Sequence, residues 1–343
     1  MSDDSDDPST DRPPREALWQ RVVVGCAAGL IWLVGALPGW LAYAFGDALA
    51  VFWYLWWRLS DPFGRRSKGY WRNVAIGFRD GTPLGPVRPP RHLWRWSRHI
   101  AWIAIDFCRM RRLTAANLRA HCDLTEYPQL AALYGEGNGL IFATGHVGVW
   151  DVSGYAAGIL GLPITSVFRP SPLPALNRLI ARLRTTTGQT VVARKNVLWT
   201  LKKVLADKQV VGLLSDGGGK HSSVVVPFLG TDARTVATPA LLHLTSGAPI
   251  AVVAVLRTGR MRYRLRVYDV IRHPPGPDRE ADLLAITARV NRALSQAIAE
   301  APEQWFWQSR RFRHRPPGEV ALPNGLPPLA AAAHPAAAGP QSS

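Results

Sequence analysis

A histidine and a carboxylate stand five residues apart in the segment Gly145-His146-Val147-Gly148-Val149-Trp150-Asp151. The apolar run 139–144 before the histidine predicts a buried strand, and residues 151–160 predict a helix. A histidine that leaves a strand and an acid at the start of the next helix can meet at the end of a sheet. We therefore expect the Asp151 carboxylate to hydrogen-bond one ring nitrogen of His146, so that the other nitrogen takes a proton from a hydroxyl as general base.

A structural alternative for His146 is a bond to backbone at the helix entry. The glycines beside it, Gly145 and Gly148, favour the catalytic role because they let a ligand or another chain segment approach closely. The sequence has no Gly-x-Ser-x-Gly motif, so a serine nucleophile is unsupported. Direct attack by a hydroxyl on an acyl thioester is the simpler mechanism.

Two further polar residues follow predicted strands. Arg169 comes directly after the strand predicted at 164–168, and Asp216 comes after the one predicted at 210–214. The carboxyl ends of parallel strands share one edge of a sheet, so both residues are expected near His146. Arg169 would hold a phosphate or another anionic group, or alternatively form a structural ion pair. Asp216 would orient His146 or bind a sugar hydroxyl, or alternatively cap the turn into the glycine run 217–219.

Strands and helices alternate along the chain and predict an α/β fold, a central mixed sheet flanked by helices. Further strands are expected at 190–192, 249–255 and 263–270, and the last of these alternates apolar and polar residues as an edge strand does. Helices are expected at 93–118, 175–187, 198–208, 238–246 and 282–300. The three cysteines are far apart, which favours neither disulfides nor zinc, and no metal or other cofactor is expected.

The composition indicates an anionic partner, most simply a membrane surface. The formal net charge is +17 and there are 14 tryptophans, which collect at membrane interfaces, whereas no nucleic-acid-binding motif is present. Residues 22–45 carry no charge, and a spanning helix needs about 20 such residues. Pro38 either kinks this helix or splits it into two shorter membrane-embedded helices. The arginines and lysine that follow, between 58 and 72, predict a cytoplasmic main body on the inner membrane.

These features divide the chain into four parts. We expect a disordered acidic tail over 1–18, a membrane anchor over 19–57, the catalytic domain over 58–315, and a disordered tail rich in proline and alanine over 316–343.

The chain also resembles a known family over residues 20–316, the lipid A late acyltransferases. Related proteins are the phosphatidylinositol-mannoside acyltransferases and the wider His-x4-Asp lysophospholipid acyltransferase superfamily. The resemblance rests on four blocks in the family's order. They are the segment at 145–151, Phe168-Arg169-Pro170-Ser171-Pro172-Leu173-Pro174, Val211-Gly212-Leu213-Leu214-Ser215-Asp216 with Val226-Pro227-Phe228-Leu229-Gly230, and Pro302-Glu303-Gln304-Trp305-Phe306-Trp307 with Arg310-Arg311-Phe312.

The resemblance implies a membrane-bound acyltransferase that moves a fatty acyl chain from acyl carrier protein or coenzyme A to a hydroxyl of a glycolipid such as a lipid A precursor. It also implies that the last block borders the active site, where Arg310 and Arg311 would meet anionic headgroups. The basic residues Arg178, Arg182 and Arg184 are expected to dock on the membrane. Family members that act on lipid A usually carry Glu where Asp151 stands, so another phospholipid or a mannosylated lipid is an alternative acceptor. A non-catalytic lipid-binding protein and a hydrolase are the remaining alternatives.

Overall fold

A computed structural model describes residues 18–60, 69–86, 89–194, 197–219, 223–316 and 318–330. Among these residues, seven strands form one mixed sheet in the order β1-β9-β8-β2-β5-β3-β4, and β6 and β7 form a separate hairpin. The strands are β1 (Cys122–Asp123), β2 (Leu140–Thr144), β3 (Ile164–Phe168), β4 (Thr190–Ala193), β5 (Val210–Leu214), β6 (Ser223–Phe228), β7 (Thr231–Val236), β8 (Ile250–Gly259) and β9 (Arg262–Ile271). The predicted α/β class with a mixed sheet is confirmed.

The centre of the sheet is parallel. Strand β2 pairs in parallel with both β5 and β8, and β3 pairs in parallel with β5 and β4. Only β9 runs against its neighbour β8. The apolar sequence of β2 fits its central place, because a strand covered on both faces needs apolar side chains on both. The alternating sequence of β9 fits its place one strand from the edge, beside the two-residue β1.

Helices cover both faces of this sheet. In the described ranges they are α1 (Leu18–Ala36), α2 (Gly39–Ser60), α3 (Tyr70–Gly77), α4 (Pro89–Arg109), α5 (Leu118–His121), α6 (Tyr127–Gly135), α7 (Trp150–Ile159), α8 (Pro174–Thr185), α9 (Val197–Ala206), α10 (Thr238–Ser246) and α11 (Arg279–Glu300). One apolar core lies between the sheet and α9, α10 and α11, and the other lies between the sheet and α6 and α7. The helix predicted at 93–118 ends earlier, at Arg109, where a short 3-10 turn follows.

The hairpin of β6 and β7 is an element that the sequence analysis did not predict. Its turn contains Leu229 and Gly230, both with positive φ. It packs on α11, where the Asn291 side chain donates to the Pro227 carbonyl and to the Thr235 hydroxyl. In sequence the hairpin comes after β5.

The expected anchor consists of two helices rather than one. Pro38 lies between α1 and α2, which agrees with the alternative of two shorter helices. Of the helices in the described ranges, α1 is the one that is long and apolar enough to cross a membrane. Helix α2 packs on α4, and its Asp47 accepts hydrogen bonds from Arg98 and Trp102 of α4.

A buried ion pair connects α2 and α4 to the sheet. Asp106 of α4 and Arg257 of β8 are almost fully buried and hydrogen-bonded to each other. Tyr43 of α2 donates to the same carboxylate and accepts from the backbone N–H of Met261. Three parts of the chain therefore meet at one carboxylate.

The carboxyl-terminal tail, predicted to be unstructured, has no helix or strand among its described residues. A short part of it nevertheless contacts the domain. Arg79 donates to the carbonyls of Pro327 and Pro328, and the N–H of Ala330 donates to Gly230. The acidic tail expected over 1–18 lies, except for Leu18, outside the described residues.

The Asp106 cluster leads to a stability prediction. Replacing Asp106 with Ala leaves the Arg257 guanidinium buried without its counter-charge, which is expected to lower the free energy of unfolding by about 3–5 kcal/mol. Asp207→Ala removes an exposed ion pair with Lys203 and serves as the control, with little change expected. Chemical unfolding of both purified variants measures the difference, and equal losses in the two variants would contradict the importance of the buried pair.

Candidate active site

His146 lies just beyond the carboxyl end of β2, in a loop whose backbone is fixed on both sides. The Gly148 N–H donates to the Gln304 carbonyl, and the Val149 N–H donates to the Val255 carbonyl. Gly148 has a φ of +69°, and a Cβ there would lie 2.0 Å from the Val255 oxygen. Only glycine fits this position, because a side chain would be strained and would clash with β8. The glycine noted in the motif therefore brings the His146 loop against β8.

Asp216 is the carboxylate that contacts His146. It follows the neighbouring strand β5, as predicted, and its Oδ1 lies 2.9 Å from Nδ1 of His146. Its Oδ2 accepts the backbone N–H of His146 at 2.9 Å and the indole N–H of Trp305 at 2.8 Å. An ionised carboxylate can only accept, so Nδ1 carries the proton and Nε2 is left as the base. The predicted alternative in which Asp216 orients His146 matches this geometry.

The charges of the two partners stabilise each other. Burial by itself would raise the pKa of Asp216, but His146 and the hydrogen bonds from His146 and Trp305 lower it to about 2. Burial by itself would lower the pKa of His146, but the Asp216 carboxylate and, to a smaller extent, Asp151 raise it above its ordinary value. Asp216 is 1% exposed, whereas the His146 side chain is 36% exposed. The pair thus combines a buried, fixed carboxylate with an accessible imidazole.

Asp151 does not make the expected contact. Within the described residues its carboxylate pairs with Arg184 of α8, with Oδ1 at 2.6 Å from a terminal guanidinium nitrogen and 2.8 Å from Nε, and it is not hydrogen-bonded to His146. Asp151 lies in the first turn of α7, where the helix dipole favours an anion, and the turn directs it toward α8. The predicted hydrogen bond from Asp151 to the ring is therefore wrong in this structure, and its influence on His146 is electrostatic.

Arg169 lies where the sequence placed it, directly after β3 at the same edge. It lines the mouth of a cavity of about 280 Å³ together with His146, Asp151 and Arg184. The cavity continues between α7 and the sheet, where its walls are mostly apolar. Residues that line this inner part include Leu130, Phe142, Ala156, Leu160, Leu162, Ile164, Leu213 and Val253.

The two carboxyl-terminal arginines differ in their surroundings. Arg310 is exposed, but Arg311 is 1% exposed and donates to the Arg234 carbonyl and the Thr235 hydroxyl. Burial lowers the pKa of the Arg311 guanidinium to about 10, against the attraction of Asp216. The expectation that Arg311 meets headgroups is wrong, because its guanidinium lies inside the domain over the ring of Phe228. Arg311 is therefore a buried residue of the domain interior, close enough to Asp216 to be attracted by its charge.

The segment 302–312 borders the site, as the resemblance implied. Phe306 donates its N–H to the His146 carbonyl, and its ring lies 6.0 Å from the imidazole. Asn73 of α3 donates to the carbonyls of Trp307 and Ser309, and Trp96 of α4 donates to that of Trp305. Helices α3 and α4 therefore hold the indole that bonds Asp216. The resemblance of the block at 302–307 placed Trp305 near the site. Nothing in the sequence predicts that its indole donates to Asp216.

A family model of bacterial lipid A biosynthesis acyltransferases matches residues 96–314, which is more than half of the chain and includes His146, Asp216 and Trp305. The chain belongs to this family. The resemblance inferred from the four blocks is thereby confirmed.

The chain is also similar to individual relatives, although it spans about half the length of the curated relatives it matches. It is 26% identical over 168 residues to the lipid A biosynthesis palmitoleoyltransferase of Escherichia coli, covering 48% of this chain and 53% of that one. It is 28% identical over 159 residues to the lauroyltransferase of the same organism, covering 46% and 50%. A lipid A biosynthesis acyltransferase of Haemophilus influenzae is 25% identical over 190 residues, covering 54% and 57%.

The geometry of the pair predicts a pH effect. If His146 is the base, kcat/KM rises with pH through the raised pKa of the imidazole. Asp216→Asn removes the charge that raises this pKa, so the midpoint of the rise moves to lower pH. The rate also falls by about 10²–10⁴-fold, since an amide has one acceptor oxygen in place of two, and its NH2 group then faces donors at the other position. Asp151→Asn is the comparison variant. We expect a smaller shift there, and an equal or larger one would show that Asp151 is the main partner.

Proposed function

We propose that this protein transfers a fatty acyl chain from an acyl thioester to a hydroxyl of a glycolipid of the lipid A type, with His146 as the base and Asp216 as its orienting partner. The observation that carries the proposal is the position of the pair at the mouth of an apolar cavity. A base beside such a cavity suits a reaction in which a hydroxyl and a hydrocarbon chain must meet. The membership in the acyltransferase family supports the same reaction.

In this mechanism the acceptor hydroxyl lies against Nε2 of His146. The imidazole takes the hydroxyl proton as the oxygen attacks the thioester carbonyl carbon, and Asp216 stabilises the imidazolium that forms. The tetrahedral intermediate then collapses with cleavage of the carbon–sulfur bond. The proton held by His146 passes to the leaving thiolate, so the ester and the free thiol are the products and the pair returns to its starting state.

The cations at the cavity mouth suit anionic substrates. Arg169 is exposed there, and Asp151 holds Arg184 in place beside it through an ion pair. A guanidinium fork recognises phosphate oxygens well. Carrier-protein thioesters and coenzyme A thioesters both bear phosphate, and so do lipid A precursors. We assign the two arginines to a phosphate of the donor or the acceptor.

The exposed apolar faces of α1 and α2 support attachment to the inner membrane. Large side chains such as Trp32 on α1 and Trp40, Phe52 and Trp56 on α2 are more than half exposed. Tryptophan and aromatic side chains favour the membrane interface. Attachment there would give the site access to a lipid acceptor, with the catalytic domain on the cytoplasmic side where acyl thioesters are made.

The assay that tests the proposal uses purified protein, a labelled acyl thioester and vesicles with or without the acceptor glycolipid. We expect labelled lipid with the wild-type protein and a loss of about 10²–10⁴-fold in rate for His146→Ala. His273→Ala is the matched control, because His273 also lies 2.7 Å from a carboxylate, that of Asp282, but away from the cavity. Its activity should stay unchanged.

The same assay separates the alternatives. Release of free fatty acid in place of labelled lipid would identify a hydrolase. Binding of vesicles without any turnover would identify a lipid-binding protein. Full activity of His146→Ala would contradict the mechanism.

The phosphate assignment has its own test. Arg169→Ala is expected to raise the KM of one substrate by about ten- to hundredfold, because a charge-assisted hydrogen bond is lost, while kcat changes little. Measuring the KM of the donor and of the acceptor separately shows which of them carries the phosphate. Arg272→Ala, an exposed arginine paired with Glu136, is the control. An unchanged KM for both substrates would exclude Arg169 from binding.

A further inference from the structure

Two polar side chains, Ser166 and Gln189, stand in the apolar inner part of the cavity. Ser166 lies on β3 and Gln189 immediately precedes β4, and both line the cavity. The amide of Gln189 donates from Nε2 to the Ser166 hydroxyl oxygen at 2.6 Å. We call these residues the Ser166–Gln189 pair. A cavity that only had to hold hydrocarbon would not need a hydroxyl and an amide in its wall.

The hydrogen bonds of the pair are incomplete. Oε1 of Gln189 is buried and has no partner in the described part of the chain. Ser166 accepts from Gln189, and none of the described residues offers an acceptor to its own proton within hydrogen-bonding distance. Because the serine oxygen accepts from the amide, the serine proton is directed away from it, and both residues line the cavity. Buried polar groups left without partners cost about 1–3 kcal/mol each, so such a pair is best explained by a partner that binds there.

The backbone around the pair is shaped to keep it in place. The amide of Gln189 lies against Gly154 of α7, where a Cβ would come within 2.6 Å of Nε2. Gly212 of β5 is the neighbour of Ser166 in the sheet, and a Cβ there would lie 3.0 Å from the Ile164 side chain and 3.8 Å from Cβ of Ser166. A larger residue at Gly154 would displace the Gln189 amide.

The pair lies deeper than the catalytic residues. In the register of the sheet, Ser166 pairs with Gly212 of β5, and Gly212 pairs with Phe142 of β2. Phe142 comes four residues before His146. At about 3.3 Å per strand residue, the pair lies up to about 13 Å from His146 along the strand direction. With the thioester carbonyl at His146, the pair would lie beside the acyl chain, several carbon atoms beyond the carbonyl.

We propose that the Ser166–Gln189 pair recognises a polar substituent, most simply a hydroxyl, on the acyl chain of the donor. This inference rests on the proposed acyl transfer and adds the class of chain that is transferred. A hydroxyl both donates and accepts, so it accepts the Ser166 proton and can also satisfy the free end of the Gln189 amide. An unsubstituted chain leaves both groups unpaired, and the site discriminates against it.

The test compares matched acyl thioesters that are saturated and equal in length, either unsubstituted or with one hydroxyl moved stepwise along the chain. We expect the wild-type protein to prefer one hydroxylated isomer in kcat/KM. Ser166→Ala is expected to lower the ratio of hydroxylated to unsubstituted turnover by about ten- to hundredfold, and Gln189→Met to lower it in the same direction. Circular dichroism and thermal unfolding of both purified variants show that they fold.

Ser153→Ala is the matched control. Ser153 also lines the cavity, but its hydroxyl already donates to the Val149 carbonyl at 3.1 Å, so the ratio should not change. Wild-type preference for the unsubstituted donor, with the same ratio in Ser166→Ala, would overturn this inference and leave the acyl transfer intact. Absence of turnover with every thioester would contradict the proposed function itself and this inference with it.

Discussion

The candidate active site depends on one buried carboxylate. Asp216 is removed from water, and its charge is tolerated because three donors surround it: the ring and the backbone N–H of His146 and the indole of Trp305. Three parts of the chain meet here: β5 places the carboxylate, β2 places the histidine with its two donors, and the segment 302–307 supplies the indole. A buried anion without these partners would be strongly destabilising. The orientation of the His146 imidazole is therefore coupled to the packing of the domain.

This constraint explains why the sequence indicated the wrong partner for the histidine. Asp151 is close to His146 in sequence, and its spacing suggests a local contact. Asp216 is 70 residues away, and it reaches the ring because β2 and β5 are parallel neighbours with ends at the same edge. Because Asp216 and Arg169 each follow a strand, the sequence predicted that both lie near His146. It did not predict which carboxylate would hydrogen-bond the imidazole. That choice is made by α7, whose first turn directs Asp151 toward Arg184.

The sequence predicted the secondary structure well where apolar periodicity was strong, as in β2, β5 and α11. It missed the hairpin of β6 and β7, whose sequence is broken by Pro227 and by a turn with two positive φ angles. It also assigned Arg311 to the surface. Arginine is seldom buried, and composition alone gives no sign that Arg234 and Thr235 of the hairpin supply acceptors for it. Both errors come from the same element, because the hairpin covers Arg311.

The contacts between α2 and the candidate site form a continuous series. Tyr43 of α2 and Asp106 of α4 meet Arg257 of β8, and the backbone of Arg257 is hydrogen-bonded on both sides by the Gln304 side chain. Gln304 directly precedes Trp305, the indole that bonds Asp216. The helices that present apolar faces outward are thus attached to the same strand and segment that fix the base. A membrane that orients α2 would also orient the cavity mouth, because hydrogen bonds join α2 to β8 and β8 to the segment 302–307.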